Sequence, residues 1–342
     1  KGVFMMKFRE RFMMGEVPFD DIFSLTDKWN FSDEACTLRE YLGLTAKEED
    51  VWISDSDDAL EELMEKEKNT KAVFLDLDGT LLTEDKQLSE RNRKALEVCI
   101  EKGVYIVPCT GRTFEGIPAA VRQVKGIQYA ILTNGAQIQN AATGEVIERR
   151  ALDWQKAVQI IDKISGCTLM YDAYADGRGK ADRRFLDTLE YYEIRPEICE
   201  LIRRTRDPLP SLRDYLNETH PALDKMNIYF KGYDRETKRH VREALSELEG
   251  IAVTSSMPNN LEINGEGASK GNAILLLARY LGLSPSQTMA FGDGENDLSM
   301  MELAGIGVAM DNGNPALKKK ADFIARSNEE DGVARVIEKL IL

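Results

Sequence analysis

The sequence predicts an α/β protein: an open, mostly parallel sheet, split by an inserted α+β unit and preceded by a small all-α module. Three observations carry this. Short, continuously apolar runs such as Ala72-Val73-Phe74-Leu75 have the texture of strands covered on both faces, as in parallel sheets. They alternate with helical stretches at both ends of the region beyond residue 70, whereas a middle stretch of about 110 residues has a different rhythm. Charge is also uneven: the chain of 342 residues carries −14, of which residues 1–70 hold −9 and the remainder −5.

In the first segment Pro18 suits a first helical turn, and Phe19, Ile22, Phe23 and Thr26 to Trp29 follow at helical spacing. Leu38, Tyr41 and Leu42 make a second stripe that Gly43 closes. Thr45 and Glu48 have capping-box spacing ahead of Val51 and Trp52, and a fourth helix is expected over 58–66. The reading is an acidic helical module over residues 16–66, ended by Asn69-Thr70-Lys71, with Trp29 and Trp52 in its core.

From residue 71 the expected order is strand 72–75, helix 89–102, strand 104–107, helix 114–124 and strand 129–132. The alternation resumes with helix 271–281, strand 288–291, helix 297–303 and short strands 307–310 and 323–325. Between them lie a helix over 154–164, a strand near 168–174 and a charged helical region over 182–204. A strand 226–230, a helix 235–248 and a strand 251–255 complete the insert. The expected domains are therefore 1–70, 71–150, 151–258 and 259–342, with the second and fourth sharing one sheet.

Composition removes several classes of function. No apolar stretch approaches the ~18 residues of a membrane span; the densest, Ile274 to Ala278, stops at Arg279. No apolar core with a cleavage site follows Lys1, so no secretory leader is expected. The five cysteines (Cys36, Cys99, Cys109, Cys167, Cys199) are odd in number and form no C-x-x-C pair. They fit a reducing cytoplasm better than a disulfide scaffold or a cysteine zinc site. His220 and His240 are too few for a histidine-rich metal site and are read as surface or satisfied residues. The net negative charge disfavours nucleic acid and anionic membrane as partners.

The chemistry sits where the strands of the split domain end. These ends read Asp76-Leu77-Asp78-Gly79-Thr80, Thr110-Gly111-Arg112, Thr133-Asn134-Gly135 and Gly292-Asp293-Gly294-Glu295-Asn296-Asp297, and Lys270-Gly271 opens the helix before the last of these strands. Open α/β sheets bind ligands at the carboxyl ends of their strands, so all of these can meet on one rim. Several carboxylates in one pocket repel each other unless a cation lies among them. Oxygen donors without histidine or cysteine point to Mg²⁺. A metal, a lysine, a threonine hydroxyl and turn amides around one spot suit a phosphoryl group, which a carboxylate can attack to give an aspartyl phosphate. The two-residue spacing of Asp76 and Asp78 lets one attack and the other protonate the leaving oxygen.

This combination resembles the haloacid dehalogenase (HAD) superfamily of phosphotransferases and its Cof-type phosphatases, subgroup IIB. The resemblance rests on Asp76 to Thr80, Cys109-Thr110-Gly111-Arg112, Ser269-Lys270-Gly271 and Gly292 to Asp297, in the family's order, and spans about residues 71–342. It implies a Rossmann-like core with a C2-type cap inserted between the second and third motifs. It also implies Asp76 as nucleophile and Mg²⁺ ligand, and Asp78 as general acid and base with its backbone carbonyl on the metal. Thr110 and Gly111 would hold phosphoryl oxygens, Lys270 would neutralise nucleophile and phosphate, and Asp293 would be the second carboxylate ligand. Asn296 would contact the phosphoryl group, and Asp297 would support the site from behind or cap a helix.

The expected function is a cytoplasmic, Mg²⁺-dependent phosphomonoester hydrolase acting on a small metabolite such as a sugar phosphate, pyridoxal phosphate or flavin mononucleotide. A phosphomutase on the same core is the first alternative, and a binding or regulatory protein using the acidic module to hold a protein partner is the second. Blander readings stand beside several residues. Asn134-Gly135 can be a plain turn, Arg112 a surface charge, and Cys109 a buried small residue; the cluster Arg178, Lys180, Arg183 and Arg184 can be a solvated loop.

Overall fold

The computed structural model describes residues 7–13, 16–68, 70–194, 196–232 and 234–342, so Asn69 at the expected module end lies outside the described residues. In chain order the strands are β1 (Ala72–Leu75), β2 (Tyr105–Pro108), β3 (Tyr129–Leu132), β4 (Gln137–Asn140) and β5 (Val146–Arg149). Then come β6 (Met170–Ala175), β7 (Arg178–Asp182), β8 (Arg206–Leu209), β9 (Lys225–Tyr229), β10 (Ile251–Thr254) and β11 (Asn260–Gly265). The last three are β12 (Thr288–Gly292), β13 (Ile306–Met310) and β14 (Phe323–Ala325).

The core sheet has the order β14-β13-β12-β1-β2 and is parallel throughout. β1, β12 and β13 are buried along their whole length, which is why they read as apolar runs. One face packs on the helices Glu90–Glu101 and Gly332–Leu340, the other on Lys270–Tyr280 and Leu298–Leu303. Ser89 and Ser269 start two of these helices by accepting N–H bonds from Asn92 and Asn272, each at 3.1 Å. The antiparallel trio β3-β4-β5 adjoins β2 through a parallel bridge between Cys109 and Ile131.

The helix expected over 114–124 is instead a 3-10 turn, Phe114–Gly116, and a short helix, Ala119–Arg122. Pro118 divides them, since the residue before a proline is pushed out of the helical region and Ile117 is extended.

The insert builds its own six-stranded sheet, β10-β11-β9-β6-β7-β8. β7, β8, β11 and the helix Leu212–Thr219 lie outside the expected elements, and the stretch 182–204 is broken into the helices Arg183–Leu186 and Pro196–Thr205 around a 3-10 turn. β11 pairs with both β9 and β10, so the insert's sheet extends to Gly265, past the boundary expected at 258. The reason is that Asn260-Leu261-Glu262-Ile263-Asn264 alternates polar and apolar residues over a polar face that the composition of the core does not resemble.

The first segment is helical, beginning with a helix Phe8–Met13 that was not anticipated. Gly43 takes the left-handed C-cap (φ 78°), and both Thr37/Glu40 and Thr45/Glu48 form capping boxes. Phe12, Ile22, Leu42, Leu60 and Met64 are buried together, with Trp52 packed against them. The Arg9 guanidinium is buried, donates to Glu48 at 2.8 Å and lies 4.6 Å over the ring of Phe323 on edge strand β14. Lys339 to Glu10 (2.7 Å) and Lys47 to Asp322 (3.5 Å) add half-buried pairs across the same junction. Among the described residues no helix is long and apolar enough to cross a membrane.

Candidate active site

The carboxyl ends of β1, β2 and β12 bring the expected motifs together. Lys270, at the first turn of its helix and wholly buried, donates to Asp76 Oδ1 and Asp297 Oδ1, both at 2.6 Å. The other oxygen of Asp297 accepts from the N–H groups of Asp293 and Gly294, each at 2.9 Å, and so closes the turn after β12. Its carboxylate makes no cap bond to the helix Leu298–Leu303. Thr80 Oγ1 donates to Asp293 Oδ1 at 2.9 Å. Gly79 has φ 90°, and a Cβ there would fall 2.5 Å from Asp293 Oδ2, so no other residue fits between the two aspartates.

Carboxylate oxygens of Asp76, Asp293 and Asp297 lie within 4.8 Å of one another. Burial and the repulsion of Asp297 and Asp293 hold the Asp76 carboxyl well above its ordinary value, despite Lys270. Burial and the Asp297 charge likewise push Asp293 up to about 6. The excess of negative charge and the all-oxygen donor set fit a hard divalent cation between Asp76 and Asp293. Asp297, whose oxygens already accept from Lys270 and two amides, buttresses that pair.

Asp78 is placed differently. Arg112 grips both its oxygens at 2.7 Å while also donating to Gly116 O at 2.8 Å, and Lys86 stands 2.9 Å away. Burial would raise its carboxyl, but these two cations outweigh burial and hold it at about 2. Arg112 thus belongs to the site.

Thr110 is buried and accepts from the Arg112 N–H at 3.2 Å. The turn Thr133–Gly135 is left-handed at all three residues, and a Cβ on Gly135 would lie 2.2 Å from Ser269 O, so the turn seats against the start of the Lys270 helix. Asn134 then accepts from Asn296 Nδ2 at 3.1 Å and donates to Glu262 of the insert at 2.6 Å. Glu262 in turn accepts from Lys225 at 2.8 Å, so a hydrogen-bonded chain joins the two domains.

Between core and insert lies a cavity of about 430 Å³. Asp76, Asp78, Thr110, Gly111, Asp293 and Asn296 line its floor. Its roof is the polar face of the insert's sheet, including Tyr174, Arg206, Lys225, Asn227 and Glu262. Lys270 and Asp297 stand behind the floor rather than on it. The roof residues escaped the sequence reading, although the alternation Lys225-Met226-Asn227-Ile228-Tyr229 in an expected strand signals one polar face. Of the basic cluster, Arg178 and Lys180 pair with Asp207 (2.8 and 2.6 Å) and Arg184 pairs with Asp182. His220 and His240 are exposed, and Cys109 is a buried thiol that burial holds protonated.

A parallel sheet with a lidded carboxylate and lysine centre at its strand ends defines a phosphotransfer hydrolase. A family model described as haloacid dehalogenase-like hydrolase matches residues 73–337. The chain belongs to that family, and it is a phosphatase of the Cof type. It is 30% identical over 272 residues to 5-amino-6-(5-phospho-D-ribitylamino)uracil phosphatase YcsE of Bacillus subtilis (strain 168), covering 80% of this chain and 96% of that one. A haloacid dehalogenase-like hydrolase from B. subtilis superposes with TM-score 0.70 at 26% identity, over 80% of this chain and all of that one. One from Bacteroides thetaiotaomicron gives 0.65 at 29% identity, again over 80% of this chain and all of that one. The matched family model spans the core and the insert and begins beyond the acidic module.

Proposed function

We propose that the protein is a Mg²⁺-dependent phosphomonoester hydrolase that works through an aspartyl phosphate on Asp76. The observation that carries this is the Asp76 carboxylate on the cavity floor, held by buried Lys270 at 2.6 Å and facing Asp293. Asp76 and Asp293, with the backbone carbonyl of Asp78, would hold the metal, which supplies positive charge to the phosphoryl oxygens.

Asp76 attacks phosphorus, and the bond to the ester oxygen breaks. The departing oxygen takes a proton from Asp78, which as carboxylate then draws a proton from water. That water attacks phosphorus, the bond to Asp76 breaks, and inorganic phosphate leaves. Thr110, the Gly111 amide and Asn296 hold the phosphoryl oxygens, while Lys270 orients Asp76 and favours its ionised form against the burial that opposes it. The acid step requires the ion pair of Asp78 with Arg112 and Lys86 to open as substrate binds, because that pair keeps Asp78 deprotonated.

The substrate is a small phosphorylated metabolite that fits under the insert, which acts as a cap spanning about residues 151–265 and excludes water. A ribityl phosphate, as in the name of the B. subtilis relative, is one such ester. The five free thiols support a cytoplasmic location. The acidic module, none of whose described residues lines the cavity, is proposed as a separate docked unit available to a protein partner.

The test is phosphate release from a panel of phosphorylated metabolites with Mg²⁺ or with chelator, using Asp76→Asn as the blank. Metal-dependent release confined to the wild type is expected. Isomerised product without phosphate would instead identify a mutase.

A further inference from the structure

We propose that Asn134 is a positioning residue: it holds the Asn296 amide so that nitrogen, not oxygen, is offered to the phosphoryl group, and it does so without touching the substrate. This rests on the phosphatase reading above, in which Asn296 holds a phosphoryl oxygen.

Every link of the chain that runs from the cap to Asn296 has a single polarity. Lys225 can only donate, and it binds Glu262 Oε1 at 2.8 Å. Burial would raise the Glu262 carboxyl, but Lys225 and Asn134 outweigh burial and hold it below its ordinary value, so Glu262 stays a carboxylate and an acceptor. Asn134 must therefore turn its amide nitrogen to Glu262 Oε2, at 2.6 Å, and its oxygen the other way. That oxygen can only accept, so Asn296 meets it with Nδ2, at 3.1 Å. An amide nitrogen carries two hydrogens, and the one that Asn134 does not take can serve a phosphoryl oxygen. Turned over, Asn296 would set its own oxygen against Asn134 Oδ1 and against the phosphoryl group, and both contacts would repel.

The surroundings agree with this direction. A Cβ on Gly294 would fall 2.6 Å from Asn296 Oδ1, so the oxygen end of Asn296 is tucked against the Gly294 backbone. A Cβ on Gly111 would fall 2.9 Å from Asn134 Oδ1, so that one oxygen lies beside both Gly111 and Asn296, two of the groups assigned to the phosphoryl oxygens. Asn134 is 2% exposed and does not line the cavity. Its N–H donates to Thr110 O at 3.0 Å, which ties the turn to the loop that carries Thr110 and Gly111. At φ 59° and ψ 32° its backbone is left-handed, a conformation asparagine tolerates better than most residues. That tolerance explains an asparagine here, but not a side chain with both ends committed.

The experiment measures inorganic phosphate as a competitive inhibitor of p-nitrophenyl phosphate hydrolysis in Mg²⁺, for the wild type, Asn134→Gly, Asn296→Ala and the double variant. Glycine accepts the left-handed backbone, so the turn is kept while the amide is lost. Asn134→Ser, whose side chain is shorter, takes its place where the glycine variant fails to fold. Asn134→Gly is expected to raise the phosphate inhibition constant about tenfold, the worth of one hydrogen bond to a charged group. The double variant is expected to match Asn296→Ala alone, because Asn134 acts through Asn296. Losses that multiply in the double variant would make Asn134 a structural residue and overturn the proposal. So would a fall in thermal stability with the inhibition constant unchanged. If the wild type does not hydrolyse the ester, or Asp76→Asn hydrolyses it as fast, the phosphatase reading itself fails and takes this inference with it.

Discussion

Replacing Lys270 with methionine removes the one ammonium that touches both Asp76 and Asp297 at 2.6 Å, in a slot where Lys270 has no exposed surface and the two carboxylates are 8% and 1% exposed. Methionine has similar length, so packing is kept and the loss is electrostatic. Breaking a buried ion pair by deleting one partner costs about 3–5 kcal/mol, because the other charge is left uncompensated. Two carboxylates are stranded here, which places the expected loss at the upper end of that range when metal is absent. Urea denaturation in chelator measures it. The deficit depends on pH with a definite sign. Burial and neighbouring aspartates already hold the Asp76 carboxyl above its ordinary value, and loss of Lys270 raises it further. The folded variant therefore binds protons more readily than its unfolded chain, so its stability rises as pH falls toward the ordinary aspartate range. Activity should fall by about 10²–10³, the usual worth of a charge aimed at the reacting centre. A variant within about 1 kcal/mol of wild type at about pH 8 would refute the reasoning, because such a small loss means the pair is screened.

Three other expectations follow from the same contacts. Glu48→Ala strands the buried Arg9 guanidinium and breaks a capping box, and should cost about 3–5 kcal/mol, read as an early separate unfolding step in calorimetry while phosphate release persists. Gly79→Ala drives a Cβ into Asp293 Oδ2 at an unfavourable φ and should lower apparent Mg²⁺ affinity by about tenfold or more in a metal titration of activity. Arg112→Ala removes the larger of the two cationic holds on Asp78, so its carboxyl moves up from about 2 toward the ordinary range. Because Asp78 must carry a proton for the first step, the limb of the kcat/KM profile on which activity falls with rising pH should move to higher pH in step, which a pH series will check.

What could be read from the sequence follows physical rules. β1, β12 and β13 were legible because buried parallel strands need apolar residues at every position, and the site because polar residues cluster where those strands end. Arg112 was left open because its partner Asp78 lies 34 positions away, beyond what spacing alone relates. The cap was harder. β7, Arg178–Asp182, reads as a charged loop, because its ion pairs with Asp207 form only after β8 lies beside it. No strand is expected over residues 260–265, which fall on the core side of the expected boundary, because β11's pairing with β9 spans more than thirty residues, as Glu262 opposite Asn227 shows. In the module, Gly43 and the Thr45/Glu48 pair announced themselves through local capping chemistry, whereas Phe8–Met13 is too short for periodicity and is held by Arg9 reaching Glu48.

The central claim, that Asp76 becomes covalently phosphorylated, is tested most directly by acid-quenching the Asp78→Asn variant during reaction with p-nitrophenyl phosphate, whose leaving group needs no proton from Asp78, and mapping phosphate on its peptides. With the carboxylate that activates water removed, phosphoryl-Asp76 should accumulate and disappear on treatment with hydroxylamine. Turnover that continues in wild type while no phosphoryl group is trapped on Asp76 in the variant would contradict the covalent mechanism and point to direct attack by water.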